Sequence, residues 1–274
     1  MRSLSRCIVV LLVSVWPSLA GNVSYVVLAS GDLVRIPDDG RSATTLAAGV
    51  GGRGLAIDRR GDYIVACISS LVRVTASGVV TQIAAAPAGS GWLAVAVDPA
   101  GNYIVGDNRR HALWRVSPDG QSVNLVAQYP VKNYSEWEDV GLLVDGAGDC
   151  FVVEDNSPAA HLWRVDQAGV VTSLPLRGDR MTSATCIVEG TDGAYFVGSY
   201  RDQAIFRVTP TGDVSRFASV GGRVGGLARN PETGELVVAL GYRPALRRVS
   251  ADGSSVSDFT NLGQAYSVIA ESGR

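Results

Sequence analysis

The residues of this chain whose types and spacing could do chemistry are mostly carboxylates. Asp107 and Glu154 close two equivalent stretches, Tyr103-Ile-Val-Gly-Asp107 and Phe151-Val-Val-Glu154, and Asp155 follows the second. Between them, Tyr129-Pro-Val-Lys-Asn-Tyr-Ser-Glu-Trp-Glu-Asp139 adds Trp137, Glu138 and Asp139. Oxygen-rich sets suit hard cations, so Asp107, Asp139 and Glu154 are the candidates to hold Ca²⁺ or Mg²⁺ if the protein is a metal-dependent enzyme. Without a metal, the ordinary role of Asp107 and Glu154 is to accept hydrogen bonds from the backbone of their own turns. Later in the chain Tyr200, Arg223, Tyr242 and Arg243 fall in comparable positions, and Trp92 precedes the Asp107 stretch. A mouth acidic on one side, basic on the other and aromatic between suits a polar or zwitterionic ligand such as a sugar, a peptide or an amine-bearing metabolite.

Other chemistries are excluded or weakened by what the chain lacks. There is no Cys-x-x-Cys and the only histidines are His111 and His161, which removes the zinc-finger, thioredoxin-like and zincin patterns. Lys132 is the sole lysine, so Schiff-base chemistry has one candidate. Gly49-Val-Gly51-Gly-Arg-Gly54 spells a dinucleotide fingerprint, but it precedes a strand instead of opening a helix. With Gly221-Gly-Arg-Val-Gly-Gly226 as its counterpart, it reads as a glycine-rich loop. The formal net charge of −2 gives no general attraction to nucleic acid or anionic membrane.

The elements that must position these residues repeat. An octapeptide, apolar-x-Arg-(Val/Ile)-x-x-x-Gly, occurs six times, with arginines at 35, 73, 115, 164, 207 and 248 spaced by 38, 42, 49, 43 and 41 residues. A fixed period near 40 means one supersecondary unit copied along the chain. Each unit contains four β-like pieces separated by Gly with Asp, Asn or Pro; the first complete one runs Gly54–Asp58, Tyr63–Cys67, Leu71–Val74 and Val79–Ile83. Four antiparallel strands in series make a propeller blade. The repeated arginine, flanked by apolar residues, is expected to pack its stem between blades and to bond nearby oxygens. Tyr25–Ala29 matches second strands and Ser267–Glu271 matches first strands, so the C-terminal strand is expected to complete the N-terminal blade and close the ring. The longest spacing contains the insertion at 129–139, and insertions in repeat arrays map to surface loops.

Residues 1–20 have the layout of a secretory signal: Arg2 and Arg6, an apolar core from Ile8 to Val15, and small residues at Ser18 and Ala20. Cleavage is expected before Gly21, leaving one domain, 21–274, in a secreted or periplasmic protein without membrane attachment; a retained anchor is the alternative, disfavoured because the apolar core is short for a bilayer. Cys67, Cys150 and Cys186 then remain, one in a strand of each of three repeats, and are expected to pack as free thiols.

The repeats resemble NHL repeats and, more loosely, the regucalcin/gluconolactonase group of six-bladed propellers. The likeness is carried by Gly54-Leu-Ala-Ile-Asp58, Asp98-Pro-Ala-Gly-Asn-Tyr-Ile-Val-Gly-Asp107 and Leu113-Trp-Arg-Val-Ser-Pro-Asp-Gly120. Streptogramin-lyase-like propellers are also similar. The resemblance implies an all-β, six-bladed propeller of four-stranded blades. It implies a binding role for a small polar ligand or a peptide or protein partner, or a metal-dependent lactonase- or lyase-type activity, or a structural scaffold. The lactonase relatives carry a metal-binding glutamate at an early inner strand; here no glutamate precedes Glu136, and the first two inner strands are entered through Gly52-Arg53-Gly54 and Gly91-Trp92-Leu93. The leading expectation is a monomeric binder without a resident cofactor, using its loop-rich face.

Overall fold

The computed structural model is described over residues 23–130, 140–154, 159–241, 245–261 and 265–272. The expected signal segment lies outside these residues. Among the described residues all regular structure is strand, and no helix is long and apolar enough to cross a membrane.

Six antiparallel sheets of four strands each form the blades of a propeller. The inner strands are Gly54–Ile57, Trp92–Val97, Val140–Val144, Ala184–Glu189, Val224–Arg229 and Ala265–Glu271, each pairing on one side only, with the second strand of its blade. Second strands at Tyr63–Cys67, Tyr103–Asp107, Tyr195–Ser199 and Leu236–Leu240 are each built on a short run of β-branched or aromatic residues. The fifth sheet carries an extra short strand, Arg177–Gly178, parallel to Asp213–Val214 at its outer edge. The repeat did not foreshadow it.

Blade 1 is closed as expected. Ala265–Glu271 pairs with Ser24–Ala29 in antiparallel register, Val268 opposite Val27 and Ile269 opposite Val26. Pairing the first described strand with the last gives both their ladder partners and leaves no open edge between blades 6 and 2. The core is a ring of inter-blade clusters, each drawing from two neighbouring sheets, such as Tyr25, Val27 and Ile36 with Val237, Ala239 and Leu246. Cys67, Cys150 and Cys186 are free thiols, and burial pushes the Cys150 thiol up to about 12.

The octapeptide is explained by contacts between blades. Its final glycine has a positive φ in all six copies, and at each a Cβ would run into a main-chain carbonyl oxygen of the preceding blade or its outer connection, as Gly40 would into Phe259 and Gly253 into Phe217. The turn therefore requires glycine for its backbone and for its neighbour alike. In five blades a β-bulge falls between the first two octapeptide positions, for example between Leu71 and Val72.

The octapeptide arginines are structural, as the sequence suggested. Arg73 donates to the Tyr103 hydroxyl at 2.7 Å and to the Pro118 carbonyl at 2.8 Å, and Tyr103 donates to Asp58 at 3.1 Å. Arg35 bonds Tyr63 and Glu271, and Arg248 reaches Asp38 at 2.7 Å. Arg115, Arg164 and Arg207 pair with Asp98, Asp149 and Asp192. The aspartates that end inner strands also accept from their own turns: Asp58 from the Arg60 and Asp62 amides, Asp98 from those of Ala100 and Asn102.

A candidate binding mouth on the loop-rich face

Two sets of loops meet on the face opposite these pairs: the turns between second and third strands, and the connections between blades. There the inner strands begin around a central cavity of about 340 Å³. Its wall is made by all six inner strands, with Leu55, Val95, Leu142, Ile187, Leu227 and Val268 among the apolar side chains. Arg53 is the one charged residue among the described residues on that wall. The ring is tight there because Gly54, Gly141 and Gly226 of alternate blades each approach the backbone of the next inner strand, at Ala94, Cys186 and Ser267, where a Cβ would not fit.

The glycine-rich loops set the arginines of this mouth. Gly49, Gly51 and Gly52 adopt positive φ, the Gly51 amide donates to the Gly31 carbonyl, and the Arg53 amide donates to the Ala66 carbonyl. That path delivers Arg53 immediately before the inner strand, its guanidinium 4.3 Å from the centroid of the Tyr266 ring. Gly221, with a φ of 64°, and Gly222 likewise lead into Arg223, which also directly precedes an inner strand. Arg223 donates to the Tyr200 hydroxyl at 2.6 Å and lies 4.7 Å from the centre of that ring. Each pair combines a cation with an aromatic face, a favourable contact of about 0.5–1 kcal/mol at exposed sites. Tyr200 and Arg223 were singled out from the sequence. Arg53 and Tyr266 were missed, although the shared Gly-Gly-Arg before two inner strands was a signal for the first.

Other candidates are placed differently. Trp92 was expected at the mouth but is wholly buried, packed with Ile64, Leu71 and Val105 between blades 2 and 3. The reason is a bulge between Trp92 and Ala94, which puts the indole on the same side of the strand as Val95. Asp107 is also wholly buried, and both of its oxygens are used. One accepts the Gly91, Arg109 and Arg110 amides at 2.9, 3.1 and 3.2 Å; the other accepts the Trp114 indole N–H at 2.9 Å. It pins its own turn and is not available to a cation without breaking these bonds.

Glu154 sits in a buried polar group spanning blades 3 and 4. One of its oxygens lies 3.3 Å from His111 Nδ1, and the carboxylate also meets the buried Tyr129 phenol. His111 has a φ of 46°, a left-handed conformation uncommon for a residue with a side chain. The Tyr129 ring packs edge-on to His111 at 6.3 Å, and burial, with the nearby Glu154 charge, holds its phenol well above the ordinary value. No set of three or more His, Cys, Asp or Glu residues close enough to hold a metal occurs among the described residues. Trp137, Glu138, Asp139, Asp155, Tyr242 and Arg243, all singled out from the sequence, lie outside those residues.

No protein-family model and no curated protein matches the sequence. The fold is shared widely among solved structures. A chain of a nidogen/laminin complex superposes with a TM-score of 0.77 at 13% identity, covering 90% of this chain and 98% of that one. A protein of unknown function from Bacteroides caccae gives 0.70 at 16% identity, covering 91% and 98%. A streptogramin B lyase gives 0.61 at 15% identity, covering 88% and 74%. At these identities the likeness is one of fold, and it defines this chain as a six-bladed β-propeller.

Proposed function

We propose that this is a secreted or periplasmic NHL-like propeller that binds a small polar ligand or a peptide or protein partner at its loop-rich face. The observation that carries the reading is the pair of arginine–tyrosine contacts, Arg53 with Tyr266 and Arg223 with Tyr200, standing where inner strands open into an apolar cavity. Aromatic faces beside fixed cations at a concave mouth are what polar ligands and peptide termini need. The likeness to a chain of a nidogen/laminin complex supports a protein-binding role, and the likeness to a streptogramin B lyase supports a small-molecule one. A thermal-shift panel of sugars, amino acids and short peptides tests it, because a ligand specific to the folded state raises Tm by mass action. Hits should lose their shift in Tyr200→Ala and Arg223→Ala. Shifts that survive both substitutions would move the site elsewhere.

A metal-dependent lactonase- or lyase-type activity is the second reading. It rests on Glu154, a buried carboxylate beside His111 and Tyr129 where a cation or a substrate proton would find an acceptor. Metal analysis of the purified protein and of Glu154→Ala separates the two: stoichiometric Ca²⁺ or Mg²⁺ lost in the variant favours the enzyme, and no bound metal in either favours the binder.

A further inference from the structure

We infer that the outer edge of blade 3, the strand Val123–Gln128, is the contact for a second copy of this chain, so that the protein forms a two-fold dimer in place of the monomer expected above. This surface lies on the rim of the ring, away from the mouth, and goes beyond the binding reading.

The first argument compares the outer strands of the six blades. A strand that ends its sheet offers unpaired N–H and C=O groups to any extended chain. In blade 5 the chain covers that edge itself. Arg177–Gly178 pairs with Asp213–Val214, the Arg177 and Asp179 amides donate to the Gly212 and Val214 carbonyls, and the Arg216 amide donates to the Asp179 carboxylate. In blade 6, Val256–Thr260 carries Asp258, whose side chain is 81% exposed and pairs with Arg247. In blades 1 and 4 the outer strands, Thr44–Ala47 and Val171–Leu174, have four residues each, and Pro175 follows the second. Covering, charge, shortness and proline all keep sheet edges from pairing with other chains. Val80–Ala85 of blade 2 and Val123–Gln128 of blade 3 have six residues each and none of these four protections.

The second argument is apolar exposure. Among the described residues the exposed large hydrophobic side chains are Ile68, Val79, Val80, Leu125 and Val170, and all but Ile68 lie on this arc of the rim. Blades 2 and 3 differ in what the next blade lays against them. The turn of blade 3 meets blade 2 at the Ile83 carbonyl through Gly120, and brings the exposed Asp119 with it. The turn of blade 4 meets blade 3 at the Val126 carbonyl through Gly169. There Ala168 stands in place of Asp119, and Val170 follows, 58% exposed. With Leu125 50% exposed beside it, blade 3 presents an uncharged edge flanked by apolar side chains.

The third argument selects the occupant. A β edge is its own complement: turned over by a two-fold axis, the same strand meets each donor with an acceptor in antiparallel pairing. Two copies with a net charge of −2 repel, and they meet without like charges in contact only where the surface carries none. Convex rims touch at one blade, so the interface falls at the low end of size, below about 1,200 Å². The dimer is therefore weak and forms with rising concentration.

The test is sedimentation velocity of the whole purified protein from micromolar to near-millimolar concentration. The parent should pass from monomer to dimer. Leu125→Lys places two like charges across the axis and should weaken dimerisation at least about tenfold. Val170→Lys should weaken it less. Val80→Lys, the same exposed change on the edge of blade 2, should leave it unaltered. Hydrogen exchange within Val123–Gln128 should slow with concentration in the parent and not in Leu125→Lys; circular dichroism checks the folding of each variant. A parent that stays monomeric throughout overturns the inference and leaves this edge to a strand of another protein. A dimer that ignores Leu125→Lys, that Val80→Lys weakens equally, or that forms without slower exchange in this strand overturns it too, by placing the contact elsewhere.

Discussion

The two faces of the propeller hold the same residue type against different sets of partners. On the face of the tight turns, arginines are held against carboxylates and phenols: Arg73 on Tyr103 and the Asp58 carboxylate, Arg35 on Glu271 and Tyr63, Arg248 on Asp38. On the loop-rich face, Arg53, Arg110 and Arg223 lie over the rings of Tyr266, Trp114 and Tyr200. A half-buried guanidinium bonded to acids is scaffolding, since removing it strands the acids. Arg53 and Arg223 directly precede inner strands, where a visitor entering the mouth would first meet charge. Stability should therefore concentrate on the first face and binding on the second, and substitutions can be chosen to break that division.

The largest effect belongs to the closure. Val268 is 2% exposed and pairs with Val27, so Val268→Asp buries an uncompensated charge where the chain's two ends meet. We expect a loss of more than about 4 kcal/mol, seen as a Tm collapse or failure to fold. Removing the strand Ala265–Glu271 should do the same. An unchanged melting temperature would show that the ring stands without it.

Glycines come next. Gly120→Ala on the turn face forces a Cβ into the Ile83 carbonyl at a positive φ, and should cost about 2–4 kcal/mol. Gly89, on the loop-rich face, also has a positive φ, but the nearest neighbour of an added Cβ is the end of the Arg110 side chain at 3.7 Å. Gly89→Ala should cost only the backbone strain, about 1 kcal/mol. Denaturant midpoints compare the pair directly, and equal losses would mean that turn geometry, not inter-blade contact, decides both.

The arginines follow. Arg73→Met leaves Tyr103, Asp58 and the Pro118 carbonyl short of a donor, for a loss of about 2–3 kcal/mol. Arg223→Met should change stability by less than about 1 kcal/mol while removing binding. A variant pair with the reverse pattern would overturn the division of labour between faces.

How much of this was readable in advance depends on whether the cause was local. The strands, the six blades and the closure were legible, because β-rich runs at a fixed period report local pattern, and the missing first strand at one end matched a surplus one at the other. The octapeptide glycine was legible as a turn, but its second role was not: its neighbour, such as Phe217 for Gly253, belongs to another repeat. Trp92 was misplaced for a related reason. Alternation along the strand is broken by a single bulge, and one extra residue exchanges the two faces of a strand. Asp107 looked equally suited to a cation and to its own turn, and only coordinates show four N–H donors already around it. Arg53 was hidden inside a glycine motif whose nucleotide-binding meaning was correctly set aside, which drew attention away from the one charge it carries to the cavity.

The smallest effect tests the turn face by pH. Burial first, and then the Asp38 charge, push the Tyr25 phenol up to about 12 from the model-compound value of 10.0, against hydrogen bonding from Asn230. The unfolded chain surrenders this proton near pH 10, whereas the folded protein keeps it to about 12. Between those values the unfolded state binds fewer protons, so the stabilisation present below pH 10 is lost as pH rises. Tyr63 and Tyr103, shifted upward by burial in the same lattice, add to the loss. In Tyr25→Phe, Asn230 and Asp38 lose a partner at 3.0 and 3.1 Å, so the variant should be about 1–2 kcal/mol less stable at pH 8. Its stability should then fall less steeply than that of the parent from pH 10 to 12, so that the two curves converge. Parallel curves in urea titrations across that range would mean that Tyr25 ionises alike in both states and that its place in the lattice is not the closed, proton-retaining one described.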